Sequence, residues 1–470
     1  VTWGIPTSNG SKSFSRALAL LVAGTYFMEI LDGTIIATAA PGIAADLNVN
    51  PVDINLAMTS YLITLAVGIP ISGWLAERFG ARRVFTAAIA IFTVASLLCA
   101  MSPNLAFLCG ARMLQGAGGA MMVPVGRLVV LRDADRKEFL EAIAYLTWPA
   151  LIAPVLAPVL GGLFVTYASW HWIFLINVPL GVIAFIASLK VVPNVRALKV
   201  PPPDWTGFLM CGIALAALVI GMELVGAAPT PWAAVVLWLM IAVLALAAML
   251  WWFKRSRHPL LDLRALRIHT FLVGNAGGAM YRLVINAVPF LLPLMFMIGF
   301  GWNAFEAGLM TMAVFAGNVL IKPATSPLIR RFGFRTVLLL SNIGGALALF
   351  ACAFLTPATS LAVIAAVLFI SGVLRSIGFS AYNTVQFVDV PKARMAGANT
   401  LSSTISQVAT GLGVAVGALI LRAAEGLLGA DVAPVTGYQW TFAVLGVLML
   451  YPVVEALLMQ RAAGDEARVR

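Results

Sequence analysis

Two carboxylates stand inside a stretch that otherwise reads as membrane. Residues 18–40 form a long apolar run, and Glu29 and Asp32 interrupt it. An ionisable group at bilayer depth costs at least ~2.5–3.5 kcal/mol on insertion scales, so it persists where it faces a cavity or a partner. Three residues apart, Glu29 and Asp32 share a helix face. Burial raises the pKa of a carboxyl and nearby positive charge lowers it. An acid placed here can therefore exchange a proton when its surroundings change. It is equally suited to a static role, locking its helix to a neighbour.

Arg112 supplies positive charge at a matching depth. Asp32 stands nine residues before Pro41, and Arg112 seven after Leu105. At ~1.5 Å per residue, both lie on the order of 10–14 Å from the same membrane boundary. An ion pair that opens when Asp32 is protonated is one reading, and a permanent salt bridge is the other. The carboxy-terminal half holds buried cations instead. Arg282 and Arg375 fall near span centres, and Lys322 falls near the inner end of a span, from which it can snorkel to water. With Asn286 and Asn383 they point to an anion-contacting cavity, or to side chains that bond backbone carbonyls. Tyr145, Trp148, Tyr281 and Phe290 are candidates to line a substrate cavity, although an aromatic in a membrane helix is also ordinary packing. Hydrolytic and metal chemistry are not expected. His171, His258 and His269 lie outside span centres, and Gly-x-Ser-x-Gly and His-Glu-x-x-His are both absent. Cys99, Cys109, Cys211 and Cys352 form no Cys-x-x-Cys pair. No enzyme, no metal and no cofactor other than a coupling proton is expected.

The elements that position these residues follow from composition. The chain is 61% hydrophobic and only 10% charged, with a mean hydropathy of +0.98, far from the roughly 25% charged of a soluble domain. Fourteen apolar runs can be drawn, each near or above the ~20 residues that cross a bilayer core. The net charge of +11 is not a nucleic-acid signature, because its basic residues cluster in alternate gaps between runs. Arg78, Arg82 and Arg83 occupy one such gap and Arg330, Arg331 and Arg335 another, whereas the intervening gaps hold only Arg422. That pattern places the even gaps and both termini in the cytoplasm. The run at 18–40 follows Lys12 and Arg16 in the manner of a signal peptide, but it is long enough to span and carries the acids, so cleavage is not expected. The loop at 254–268 mixes charge with leucines and is expected as a short helix on the membrane surface.

An internal repeat is visible. Residues 73–84, with Arg78-Phe79-Gly80-Ala81-Arg82, are echoed at 326–337 by Arg331-Phe332-Gly333-Phe334-Arg335. A hairpin copied between halves is what a duplicated transporter core leaves behind. The expected fold is an all-α polytopic membrane protein of fourteen transmembrane helices. Two six-helix bundles related by a pseudo-twofold occupy 1–192 and 269–470. Residues 193–268 hold two extra spans and a cytoplasmic loop.

Four stretches together resemble the major facilitator superfamily, in its fourteen-span drug:proton antiporter group. They are Leu31-Asp32-Gly33-Thr34-Ile35-Ile36, the loop from Gly73 to Arg83, Arg112-Met113-Leu114-Gln115-Gly116-Ala117-Gly118-Gly119, and the Pro149 to Gly162 stretch of the fifth span. The resemblance implies that Asp32 and Arg112 serve proton coupling; Glu29 lies outside the family motif. It implies that Gly73, Glu77, Arg78, Gly80 and Arg82 latch the cytoplasmic side. Glu77 replaces the usual Asp, and Arg330 stands at the repeated position in place of an acid. Pro154, Pro158, Gly161 and Gly162 would make a pliable span. The implied function is proton-driven export of small molecules, multidrug efflux above all, from a bacterial inner membrane. Organic anions, such as carboxylates or their metal chelates, are the alternative cargo. The expected partners are a small-molecule substrate and the bilayer, with a monomeric protein and room for a periplasmic adaptor.

Overall fold

A computed structural model of the chain describes residues 15–49, 53–133, 138–193, 200, 202–226, 230–256, 259–261, 263–428 and 433–460. Every regular element among them is helical. In chain order these are α1 (Arg16–Asp46), α2 (Ile54–Gly68), α3 (Ser72–Phe79), α4 (Ala81–Ala100), α5 (Leu105–Asp133), α6 (Phe139–Tyr167), α7 (Trp172–Leu175) and α8 (Asn177–Val191). They continue with α9 (Trp205–Gly226), α10 (Trp232–Arg255), α11 (His269–Leu294), α12 (Ala304–Leu320), α13 (Lys322–Ala353), α14 (Leu361–Val388), α15 (Met395–Leu428), α16 (Pro434–Leu448) and α17 (Leu450–Leu458). Among the described residues, twelve helical stretches are long and apolar enough to cross a membrane. The shorter apolar helix Glu306–Leu320 and the 29-residue α6 accompany them.

Burial sorts these helices. In the most apolar stretch of Leu105–Arg132, 72% of residues are buried, against 17% in Trp232–Arg255. α5 is therefore an interior helix, and α10 leaves most of its surface to lipid. Helices α1 to α8 pack mainly on one another: α1 on α6, α4 on α5 and α8, and α2 on α5. Helices α11 to α17 form a second group, with α11 on α15 and α14, and α14 also on α12 and α13. The α9–α10 hairpin stands beside both, with α9 against α2 and α15.

Two glycine contacts bring helices close enough to matter. A Cβ on Gly116 of α5 would lie 2.6 Å from the carbonyl oxygen of Tyr61 in α2, and one on Gly372 of α14 would collide with the carbonyl of Val314 in α12. Gly80 and Gly333 take φ of +91° and +81°, a region that favours glycine. The Arg-Phe-Gly turns of the repeat thus have the same backbone form, and at Gly333 the turn breaks α13 into two helical segments.

The two groups meet at the end that carries the arginine-rich loops. Gly73 lies against Thr400 and Ala396 of α15. Asn399 donates to the Pro124 carbonyl at 2.9 Å, Arg127 to Asn383 at 3.3 Å, and Lys322 to Thr147 at 3.2 Å. Two expectations are corrected here. Lys322 does not snorkel to water: it is 4% exposed, because Ser380 and Thr147 offer hydroxyls inside. The 254–268 loop is not a surface helix. Its 3-10 turn Leu263–Arg267 buries Ala265, and Leu261 is buried beside it, in the core that α11 also enters. Asp204 anchors that loop by accepting from the Leu260 amide and from Trp252 Nε1.

Close packing at Gly116 and Gly372 makes a direct prediction. Gly116→Ala and Gly372→Ala should each cost about 1–3 kcal/mol through overpacking, read as a lower thermal midpoint of the detergent-purified protein. Gly24→Ala, at a position with nothing within 4 Å of the new methyl, should leave the midpoint unchanged.

Candidate functional site

Asp32 is completely buried and its carboxylate is saturated. Oδ2 accepts from Arg112 Nη1 at 2.5 Å. Oδ1 accepts from Gln115 Nε2 and from Asn177 Nδ2, both at 2.9 Å. Arg112 Nη1 also donates to Gln115 Oε1 at 2.7 Å, and Gln115 Nε2 to Ser96 Oγ at 2.8 Å. The guanidinium lies 4.3 Å from the Tyr61 ring centre and 5.7 Å from that of Phe174. One ion pair thus ties α1, α4, α5 and α8 together, with rings of α2 and α7 covering it. Arg112 and Gln115 reach the same carboxylate because they stand three apart on α5.

Glu29, one turn away on α1, is outside this cluster. The position of a Cβ on Gly119 of α5 would be 3.7 Å from the Glu29 carboxyl carbon and 3.4 Å from the Tyr61 hydroxyl. Glu29 Oε2 and Tyr61 Oη are both enclosed, and neither has a hydrogen-bond partner among the described residues. The two acids of the first span therefore differ sharply, one fully bonded and one facing an unbonded hydroxyl region.

A second polar centre sits between the helix groups. Asn383 Oδ1 accepts from Arg282 Nη2 at 3.1 Å and from Arg127 Nη2 at 3.3 Å. Asn286 donates to the Arg282 carbonyl at 2.7 Å. Tyr281 and Arg375 are not brought to this centre. They line a cavity of about 20 Å³ inside the second group, with Ser371 and Met449, and the Tyr281 hydroxyl donates to the Arg375 carbonyl at 2.9 Å. Phe290 is 36% exposed. Tyr145 is half-buried against the core of the first group. The side chains of Trp148, Pro149, Pro154 and Pro158 lie outside the described residues, though α6 runs through all four positions as an unbroken helix.

The expected latch residues divide. Glu77 pairs with Arg132 at 3.6 Å, joining α3 to α5. Gly73 permits the contact with α15 and Gly80 the turn into α4. Arg78 is exposed and Arg82 half-buried. Gly161 lies against Thr38 of α1, whereas Gly162 faces open space. Sequence reasoning did not single out Arg127, Tyr26, Tyr61 or Ser96. A buried arginine three residues after Pro124 was the available signal for the first.

The Major Facilitator Superfamily profile matches residues 22–207 and 274–466. The chain belongs to this superfamily. It is 38% identical over 401 residues to a Pectobacterium carotovorum protein that carries the name multidrug resistance protein MdtD, covering 85% of this chain and 86% of that one. The protein of the same name in Escherichia coli O9:H4 is 37% identical over 456 residues, covering 95% and 94%. The crystal structure of the human organic anion transporter MFSD10 superposes with a TM-score of 0.67 over 94% of this chain and 99% of that one, at 14% identity, which establishes likeness of fold alone. This superfamily member is a multi-pass membrane transporter and not an enzyme.

Removing one member of a buried ion pair leaves the other charge uncompensated, at a cost of about 3–5 kcal/mol. Arg112→Ala should accordingly lower the thermal midpoint more than Asp32→Asn, which retains an amide that Gln115 and Asn177 can still bond. The double variant should recover part of the Arg112→Ala loss in the same melting experiment.

Proposed function

We propose that this transporter exports small molecules from the cytoplasm against inward proton flow, by alternating access, with multidrug efflux as its activity. The observation that carries this reading is the Asp32–Arg112 pair, an ionisable acid sealed among four helices of one group. In this reading the pair opens when Asp32 takes a proton from the outer side, substrate leaves, and the pair reforms as the proton is released inward. Glu29 is the second acid of the path. One charge crossing 100 mV supplies ~2.3 kcal/mol, enough for nearly two decades of gradient at ~1.4 kcal/mol per tenfold.

Fourteen crossings result when α6 and α12 are counted with the twelve apolar stretches. The bundles are 1–192 and 269–470, and the α9–α10 hairpin belongs to the 193–268 insertion. A pseudo-twofold between bundles is supported by sequence separations. Gly80 and Gly333 lie 253 residues apart, and so do Tyr61 and Val314, the residues whose carbonyls meet Gly116 and Gly372. The membrane is a bacterial inner membrane, with the arginine-rich end and both termini cytoplasmic. The bundles touch at that end, so the conformation is read as outward-open. The protein acts as a monomer on a small-molecule substrate, and a periplasmic adaptor is compatible with the topology.

Relatives named for multidrug resistance favour lipophilic drugs as cargo. One specific observation favours organic anions instead: Arg127, Arg282 and Lys322 are near the junction without an ion-pair partner among the described residues. Proteoliposomes with an imposed pH gradient test the coupling. Wild type should move substrate and Asp32→Asn should not; equal rates in both would sink the proton mechanism. In everted vesicles, Arg282→Ala should abolish proton exchange driven by carboxylic acids while leaving that driven by lipophilic cations, if anions are the cargo.

A further inference from the structure

We infer that the junction between the two helix groups is a binding site for one small monovalent anion, of halide size, held by Arg127, Arg282 and Lys322. Two arginines meet there, a lysine bonds Thr147 of the same cavity wall, and the partners of all three among the described residues are neutral. Arg127 and Arg282 donate to the same oxygen, Asn383 Oδ1. Lys322 Nζ donates to Ser380 Oγ at 2.7 Å and Thr147 Oγ1 at 3.2 Å. No carboxylate pairs with any of the three among the described residues. Arg282 Nη1 is enclosed with no acceptor among the described residues. Buried charges are ordinarily paired, so this constellation lacks a negative charge.

The space for that charge is present. A cavity of about 20 Å³ is lined by Tyr26, Arg127, Thr147 and Asn383, with apolar side chains of α1, α5, α6 and α14. One water needs roughly 10–15 Å³ of such space, so the cavity takes a single small occupant. Each of the three cations either lines it or bonds a side chain that does. Water would fill the space without relieving the charge, whereas a halide does both. Tyr26 lines the same cavity and its hydroxyl adds a donor. Glu29 itself is not part of the cavity wall.

The anion also acts on conformation. Arg127 comes from one helix group, and Arg282 and Lys322 from the other. An ion between them joins the groups at the arginine-rich end and favours the state in which that end is closed. The same chemistry is available from the carboxylate of a transported acid, and the experiment separates the two sources.

The full chain is purified into chloride-free sodium gluconate, and chloride replaces gluconate at constant ionic strength. The thermal midpoint should rise saturably with chloride and with bromide. Arg127→Gln should weaken the response at least about tenfold, as loss of a charged hydrogen bond does, and Arg282→Gln and Lys322→Met, one side chain removed from the cavity, should each weaken it by a smaller factor. Equilibrium binding of radiolabelled chloride to the wild type supplies a readout that needs no variant to fold: about one ion per chain, displaced by bromide and not by gluconate. Identical midpoints in chloride and gluconate, with no bound label, overturn the inference. A response to acetate or citrate without one to halides also overturns it and assigns the cations to a cargo carboxylate. Neither measurement involves transport, so the result stands apart from the fate of the proton-coupling proposal.

Discussion

A charge inside a membrane protein must find its counter-charge or polar partners within the protein, and that constraint organises this molecule. At the Asp32–Arg112 pair of the first helix group it is met, whereas Glu29 Oε2 has no hydrogen-bond partner among the described residues. Asp32 has one cation and two amides, and Arg112 has the carboxylate, Gln115 and two aromatic faces. In aqueous surroundings such a pair is worth little. In a dry interior, its members strongly resist separation, so the helices that carry them move together unless the charge is removed. Protonation is the one small chemical step that removes it. The pair is thereby a fastener between α1 and α5, with Gln115 and Asn177 extending it to α4 and α8.

The helices around it are held by shape more than by polar bonds. Lipid tails provide no hydrophobic drive between helices, so close approach at small residues does that work. Gly116 and Gly372 bring α5 onto α2 and α14 onto α12. The groups meet through a glycine contact at Gly73, hydrogen bonds from Asn399, Arg127 and Lys322, and one apolar core that holds Leu128 and Val130 of α5 with Phe387 of α14 and Met395 and Leu401 of α15.

Much of this was legible in the sequence because membrane physics writes in long words. Apolar runs of full bilayer length mark helices with little ambiguity, and an acid within one invites a partner at equal depth, which is how Arg112 was matched to Asp32. The amides were harder. Gln115 and Asn177 belong to recognisable stretches, but nothing in their spacing says that both donate to the same oxygen. Arg375 was expected beside Arg282 because both are mid-span arginines; they are separated because depth along a helix says nothing of the face. Lys322 was misread for a related reason. A lysine near a helix end can reach water, and only the neighbouring hydroxyls of Thr147 and Ser380 make the inward path competitive.

The two helix groups keep a common frame and differ in charge. Gly80 and Gly333 repeat a turn with matching positive φ, and at the same separation of 253 residues Glu29 in α1 answers to Arg282 in α11. Gly116 and Gly372 lie 256 residues apart, and so do Arg127 and Asn383, which bond to each other across the junction. Arg127 and Asn383 thus meet at the junction as a guanidinium against an amide, and Glu29 and Arg282 place an acid and a guanidinium at the other matched separation. A duplicated chain with identical copies would place like beside like there. At the junction Arg127, Arg282 and Lys322 bond only neutral groups among the described residues. The charge where the groups touch is thus set by a few side chains and not by the helices that carry them.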